Sequence, residues 1–278
     1  MIHILGMNKC DYKIDQDKNS SFEWYTELGW EVVIGRLQAI RMIQDGRITS
    51  ADTIVALKDR MFMYTRIHAN VREWVPGIEP CGGLRPDAFG EYALELFDSK
   101  HLRGNHTDTI YKFQQDIPMI LNHDYEEVNP PKCIIINHRK RGWCTERNMK
   151  EDITRKLIGI GLELGLKVYL SGMNAEGLDN RAEYVPTLRK TASIMHHPNC
   201  KAFIGSGGPA LLAQQCCPSK LIFINTCGSI GCNPLFLQNR MNFAKHKMFI
   251  VPPDNLSGVK QIIDGRNVIM KNVYNAFR

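Results

Sequence analysis

The stretch Asn199-Cys-Lys-Ala-Phe-Ile-Gly-Ser-Gly-Gly-Pro-Ala-Leu-Leu-Ala-Gln-Gln-Cys216 indicates a buried strand that runs through a glycine turn directly into a helix. Residues 202–204 form a short apolar run, and the glycines within 205–208 allow the backbone to turn sharply. Pro209 suits the first position of a helix, where its missing N–H is not needed. The start of such a helix directs unpaired N–H groups and partial positive charge beyond the sheet. The stretch therefore predicts either an anion site or a helix start without a ligand.

The composition is typical of a globular protein with free thiols. The chain has 278 residues, of which 44% are hydrophobic and 23% charged, and this length fits one large α/β domain or two domains of about 130 residues. No apolar run approaches the roughly 20 residues that a membrane-spanning helix needs. The nine cysteines are an odd number without a C-x-x-C pair, which favours a reducing compartment. We expect a cytoplasmic protein without a transmembrane segment.

The second half of the chain alternates between strands and helices. Apolar β-branched runs and helical spacing predict strands at 132–137, 166–170, 201–204, 220–225 and 248–251, and helices at 148–164, 184–197, 209–217 and 256–265. Such alternation implies right-handed crossovers and a parallel sheet that is covered on both faces. Residues 132–278 are therefore expected to form a Rossmann-like domain.

Weaker signals predict a second, smaller unit of the same kind over residues 1–125. Strands are expected at 2–5, 31–34 and 53–57, and helices at 36–44, 60–73, 89–97 and 109–122. The charged, proline-bearing residues 124–131 are expected to be the interdomain linker, near which the domains would close as on a hinge. The predicted fold class is thus α/β, with two Rossmann-like domains of parallel sheets that face a cleft.

Candidate binding residues follow the predicted strands of the second half. Ligands of open parallel sheets bind beyond the carboxyl ends of the strands. Four loops there carry guanidinium groups, small hydroxyls, an amide and glycines, namely Arg139, Arg141, Ser171, Gly172, Ser206, Gly207, Gly208 and Asn225. Guanidinium groups and backbone amides that converge on one rim suit a diphosphate. The alternative for each arginine is a solvated loop position that makes surface ion pairs.

Residues 192–225 resemble the donor-binding half of GT-B glycosyltransferases, because a Gly-Ser-Gly-Gly-Pro turn between two strands opens an Ala-Leu-Leu-Ala helix. They are most similar to heptosyltransferase-like members, in which an (Asp/Asn)-Ser-Gly-Pro turn precedes an Ala-rich helix. The basic loop 138–141 resembles the strand-end arginine motif of fucosyltransferase-type GT-B enzymes. The resemblance covers residues 132–226 well, and Gly205 departs from it at a position that is usually acidic or an amide.

This resemblance implies a hexosyl- or pentosyltransferase that moves a sugar from a nucleotide-sugar donor to a hydroxyl of a glycan or other acceptor, without a metal or another cofactor. The donor diphosphate would lie on residues 206–208 and against Arg139 and Arg141, where positive charge stabilises the leaving group. Deprotonation of the acceptor requires a base at a strand end of the first half. Asp11 is the first candidate for that base and Asp59 is the second.

Two other functions fit parts of the sequence. The Ser206-Gly-Gly208 turn before a helix also fits a non-hydrolysing sugar-nucleotide epimerase, which would use the same architecture. The net charge of +6 and aromatic residues beside basic ones, as in Arg141-Gly-Trp143, fit a nucleic-acid-binding protein. The basic residues are otherwise scattered, so charge alone does not indicate a nucleic-acid partner.

Overall fold

A computed structural model describes two parts of the chain. In the first half the described residues are 2–4, 36–44, 46, 48–56 and 58–73. In the second half they are 123–140, 148–172, 174–205, 212, 213, 216, 220–224 and 248–265. The predicted strand at 31–34, the predicted helices at 89–97 and 109–122 and most of the predicted helix at 209–217 lie outside these ranges.

The first part contains three parallel strands in the order β1 (Ile2–Ile4), β2 (Thr53–Ala56) and β3 (Val71–Glu73). Helix α1 (Arg36–Gln44) precedes β2, and a short 3₁₀ helix (Lys58–Met63) follows it. Strands β1 and β2 and helix α1 agree with the predicted positions. The 3₁₀ helix begins two residues after the end of β2, so its first residues lie beyond the carboxyl edge of the sheet.

The helix predicted at 60–73 is wrong. The 3₁₀ helix ends at Met63, and residues 71–73 pair with β2 instead. Two side chains before β3 hold the chain against the sheet: His68 Nε2 lies 2.8 Å from the carbonyl oxygen of Asp52, and Asn70 Nδ2 donates to the same oxygen at 3.1 Å. These contacts between distant residues override the local helical spacing of the apolar side chains.

The second part contains a sheet of six described strands, all of them parallel. Their bounds are β4 (Cys133–Asn137), β5 (Lys167–Ser171), β6 (Glu183–Tyr184), β7 (Cys200–Gly205), β8 (Lys220–Ile224) and β9 (Met248–Val251). Their order across the sheet is β6-β5-β4-β7-β8-β9. The predicted α/β class with parallel sheets is confirmed.

Helices cover both faces of this second sheet, as its apolar strands require. Helices α2 (Glu151–Glu163) and α4 (Ser257–Asp264) pack on the face that carries Ile134 and Ile136. Helix α3 (Leu188–His196) packs on the face that carries Cys133 and Ile135. The predicted helix at 184–197 begins later than expected, because β6 occupies residues 183–184 and Thr187 caps α3.

The two sheets share one apolar cluster on the α3 side. Buried side chains from the first part, including Ile54, Phe62 and Met63, belong to the same cluster as Ile135 and Phe203 of the second sheet. The described parts of the two halves are therefore packed together on this side of the molecule.

The predicted linker lies along α3. Arg189 Nη2 donates to Asp124 Oδ2 at 2.8 Å, and the backbone N–H of Glu126 donates to Ser193 Oγ at 2.9 Å. Further along, Asn199 Nδ2 donates to the carbonyl oxygen of Pro130 at 2.8 Å. These bonds attach residues 124–130 to the second part of the chain.

Candidate functional site

The carboxyl ends of β4 and β5 open into a cavity of about 240 Å³. Strand ends, the start of α3 and the 3₁₀ helix of the first part form its walls. The lining residues are Asp59, Arg60, Asn137, His138, Arg139, Lys140, Ser171, Gly172, Tyr184, Val185, Pro186, Thr187, Leu188 and Thr191. The cavity therefore lies where parallel sheets bind ligands, and both parts of the chain contribute to it.

Asn137 lines the cavity as the last residue of β4. The residue is 5% exposed, and its Nδ2 donates to Ser171 Oγ at 3.2 Å. Glycines occupy the ends of the two neighbouring strands: a Cβ at Gly172 would lie 3.1 Å from Asn137 Nδ2, and a Cβ at Gly205 would lie 3.0 Å from Asn137 Cβ. The two glycines thus leave room for a buried amide at the sheet edge.

The backbone at Gly172 passes close to the residue after β4. Its φ of +110° is in a region that L side chains rarely adopt, and a Cβ there would overlap the carbonyl oxygen of His138. Only glycine allows the chain to leave β5 along this path. Gly172 therefore sets the separation between the β4 and β5 loops.

His138 is fully buried beside the site. Its Nδ1 lies 2.8 Å from Thr154 Oγ1, and the same Thr154 oxygen lies 3.3 Å from the carbonyl oxygen of Lys150. Burial lowers the pKa of His138 below its usual value, and nearby Lys140 lowers it further while Glu151 opposes this. The lowered pKa favours the neutral imidazole, and the contact with Thr154 anchors the β4 loop to α2.

Two cations follow His138 in the same loop. Arg139 is buried, and its Nη1 donates to Asn148 Oδ1 at 2.8 Å. Its carbonyl oxygen accepts from the backbone N–H of Met149 at 2.9 Å. Lys140 is more exposed, and its Nζ lies 2.9 Å from Glu151 Oε1. Arg139 thus carries a fixed positive charge at the cavity, whereas the charge of Lys140 is partly offset.

The start of α3 faces the same space. Thr187 is the N-cap, whose hydroxyl accepts from the backbone N–H of Lys190, and no acidic residue lies in the first turn. Leu188 and Thr191 from this turn also line the cavity. The partial positive charge of a helix N-terminus and the Arg139 guanidinium therefore act on one volume, which favours an anionic ligand.

The first part of the chain supplies one carboxylate and one further cation. Asp59 lies in the first turn of the 3₁₀ helix and Arg60 follows it directly, with Arg60 Nε 3.8 Å from Asp59 Oδ1. The Asp59 side chain is 57% exposed and that of Arg60 is 14% exposed. The carboxylate thus lies at the mouth of the cavity, in contact with solvent.

Four residues predicted from the sequence line this cavity: Asp59, Arg139, Ser171 and Gly172. The other predicted site residues, Asp11, Arg141, Ser206, Gly207, Gly208 and Asn225, lie outside the described residues. Asn137 was recognised as a strand-end residue but was not among the predicted site residues, and the prediction missed Arg60, Thr187 and Thr191. Thr187 had a usable signal, because a threonine before an amphipathic segment is a common N-cap.

Within the described ranges, no group of three or more His, Cys, Asp and Glu side chains could hold a metal ion. None of the helices in the described part is both long enough and apolar enough to cross a membrane.

Comparisons with known proteins find similarity in three-dimensional structure. No protein-family model and no curated protein matches the chain. The solved structure of E. coli ADP-heptose lps heptosyltransferase II is similar over 87% of this chain and 97% of its own, with 10% identity and a TM-score of 0.48. That of E. coli heptosyltransferase WaaC with ADP-2-deoxy-2-fluoro heptose is similar over 96% and 99%, with 12% identity and a TM-score of 0.48. The α/β class stated above rests on the two parallel sheets themselves.

Proposed function

We propose that the protein is a glycosyltransferase that moves a sugar from a nucleotide-sugar donor to an acceptor hydroxyl. The observation that carries this proposal is the cavity at the ends of β4 and β5, which combines a buried arginine, a helix N-terminus and a carboxylate from the first part of the chain. The sequence resemblance to GT-B enzymes supports the same reaction class. The donor would lie at the strand ends of the second sheet and the acceptor toward the first.

The donor's phosphates are the part that this cavity suits best. Arg139 and the start of α3 supply positive charge without a metal ion, and the Ser171 hydroxyl and the Asn137 amide offer neutral hydrogen-bonding groups. A volume of about 240 Å³ is below the roughly 300–1,000 Å³ of complete ligand pockets. The cavity would therefore hold part of the donor, with the remainder beyond its mouth.

The reaction follows from the placement of opposite charges. The acceptor oxygen attacks the anomeric carbon while the bond from that carbon to the diphosphate oxygen breaks. A carboxylate takes the acceptor proton, and we propose Asp59 for this role, with Asp11 as the other candidate. The released nucleoside diphosphate gains negative charge, which Arg139 and the α3 N-terminus stabilise because both are in place before the reaction starts.

Titration calorimetry with UDP, GDP and ADP tests this proposal. We expect the wild-type protein to bind at least one of the three, and Arg139→Ala to weaken that binding about 10-fold or more, since a charge-assisted contact is worth roughly 1.5–3 kcal/mol. Arg181→Ala is the matched control, because Arg181 pairs with Asp179 outside the cavity. Thermal unfolding of each variant confirms that it is folded. Absence of binding to all three nucleotides would refute the proposal.

Incubation with UDP-, GDP- and ADP-sugars in the absence of an acceptor distinguishes the reaction class. Slow release of the nucleoside diphosphate supports a transferase, because water can replace the acceptor. Recovery of an isomerised sugar nucleotide would instead indicate an epimerase.

A further inference from the structure

Arg36 is a buried charge that the proposed reaction does not use. It is the first residue of α1 and is only 2% exposed. Its Nε donates to the carbonyl oxygen of Met63 at 2.9 Å. A guanidinium group loses much hydration energy when it is buried, so it is retained in a core only when its hydrogen bonds are well made.

The surroundings of Arg36 come from both parts of the chain. Burial has the largest effect on the pKa of Arg36 and lowers it. Electrostatic interactions with the nearby side chains of Cys216, Tyr64 and Tyr125 act in the opposite direction and raise the pKa. Tyr64 follows the 3₁₀ helix, Tyr125 belongs to the linker, and Cys216 belongs to the second part. The Tyr125 ring is in turn stacked on His196 of α3, with centroids 4.2 Å apart. Arg36 therefore lies where the two parts meet.

The acceptor of the Arg36 hydrogen bond is the last residue of the 3₁₀ helix. This helix has six residues, and short 3₁₀ helices have poor internal hydrogen-bond geometry, so outside contacts must hold it. Phe62 and Met63 supply buried apolar contacts, which are non-directional. Directional contacts reach its carboxyl end: Arg36 at Met63, and the backbone N–H of Asp124 at the Phe62 carbonyl oxygen, 2.9 Å away.

We infer that Arg36 is a positioning residue, which fixes the 3₁₀ helix so that Asp59 and Arg60 line the cavity. The guanidinium holds the Met63 carbonyl oxygen and thereby sets the direction of the short helix that carries both side chains. The role of Asp59 in turnover rests on the proposed function, whereas the placement of the helix does not.

Amide hydrogen exchange of the full chain tests the placement. We expect exchange over residues 58–65 to be about 10-fold faster or more in Arg36→Gln, and less accelerated in Arg36→Lys, relative to exchange over α2 in the same protein. Dividing the exchange rate over residues 58–65 by the rate over α2 corrects for any loss of stability that affects the whole protein. Arg181→Lys is the control, since it makes the same substitution at an arginine that pairs with Asp179 and is distant from the 3₁₀ helix along the chain. An unchanged ratio in both Arg36 variants would overturn the inference.

Kinetics test the consequence for the site. With a sugar nucleotide that the wild-type protein hydrolyses, we expect kcat of Arg36→Lys to fall about 10- to 100-fold, while Kd for the nucleoside diphosphate changes less than about threefold, because Arg139 and α3 belong to the second part. Unchanged kcat despite faster exchange would refute the positioning role. If the wild-type protein binds no nucleoside diphosphate, the proposed function fails, and the exchange ratio alone decides whether Arg36 holds the helix.

Discussion

Gly172 occupies a position where the residue type determines the shape of the cavity. With φ at +110°, an added Cβ would overlap the His138 carbonyl oxygen. That oxygen belongs to the backbone and cannot move without displacing the β4 loop. The structure thus contains a site where a single methyl group would alter both the backbone path and the cavity floor.

We predict that Gly172→Ala lowers the free energy of unfolding by about 3 kcal/mol or more, from backbone strain and from the clash together. Gly177→Ala is the matched control, because Gly177 also has positive φ, at +71°, but nothing lies within 4 Å of its added Cβ. The control isolates the cost of left-handed backbone, about 1–2 kcal/mol. Urea denaturation measures the free energy of unfolding of both variants. Equal losses in the two variants would show that the close approach of Gly172 to the His138 carbonyl oxygen contributes nothing to stability.

At the residue scale the sequence predicted part of the site. Arg139, Ser171 and Gly172 were found because polar residues and glycine that directly follow apolar runs indicate strand ends in a parallel sheet. Arg60 and Arg36 had no such signal. A surface arginine and a buried one look alike in the sequence, and burial depends on residues that are distant along the chain.

At the element scale, α2 packs closely on the second sheet at a single glycine. An added Cβ at Gly161 would lie 2.6 Å from Ile134 Cδ1 and 2.7 Å from Val168 Cγ2, whereas one at Gly159 would meet nothing within 4 Å. Both glycines lie inside the same helix. They therefore have the same backbone conformation and different surroundings.

We expect alanine substitutions at the two glycines of α2 to change the free energy of unfolding in opposite directions. Gly159→Ala should raise the free energy of unfolding by about 0.5–1 kcal/mol, because alanine has the higher helix propensity. Gly161→Ala should lower it by about 1–2 kcal/mol, because overpacking of a filled core exceeds that gain. Chemical denaturation of the two single variants provides the measurement. Stabilisation by both substitutions would show that α2 can move away from the sheet at little cost.

For the whole molecule, the shared apolar cluster joins the two sheets that the sequence predicted to be in separate domains. Phe62 of the 3₁₀ helix is 4% exposed within this cluster, and its ring centroid lies 5.7 Å from that of His123. Removal of its ring should therefore weaken both parts of the chain, although Phe62 belongs to the first.

We predict that Phe62→Ala costs about 3–5 kcal/mol and that hydrogen exchange accelerates together in β2 and β7. Leu162→Ala is the control, since Leu162 is 38% exposed on α2 and a substitution there should cost less than about 1 kcal/mol. Faster exchange in β2 with unchanged exchange in β7 would indicate that the two parts unfold independently.

The sequence by itself determined five of the six described strands and the three described helices of the second part, the parallel α/β class and the loops at the strand ends. These features follow from local signals, namely apolar periodicity, β-branched runs and glycine at turns. Tertiary structure alone decided the strand order, the strand at Val71–Glu73 in place of a helix, the burial of Arg36 and the position of Asp59 at a cavity built by the other sheet. The physical reason is that each of these depends on contacts between residues far apart along the chain, which periodicity within a short segment does not encode.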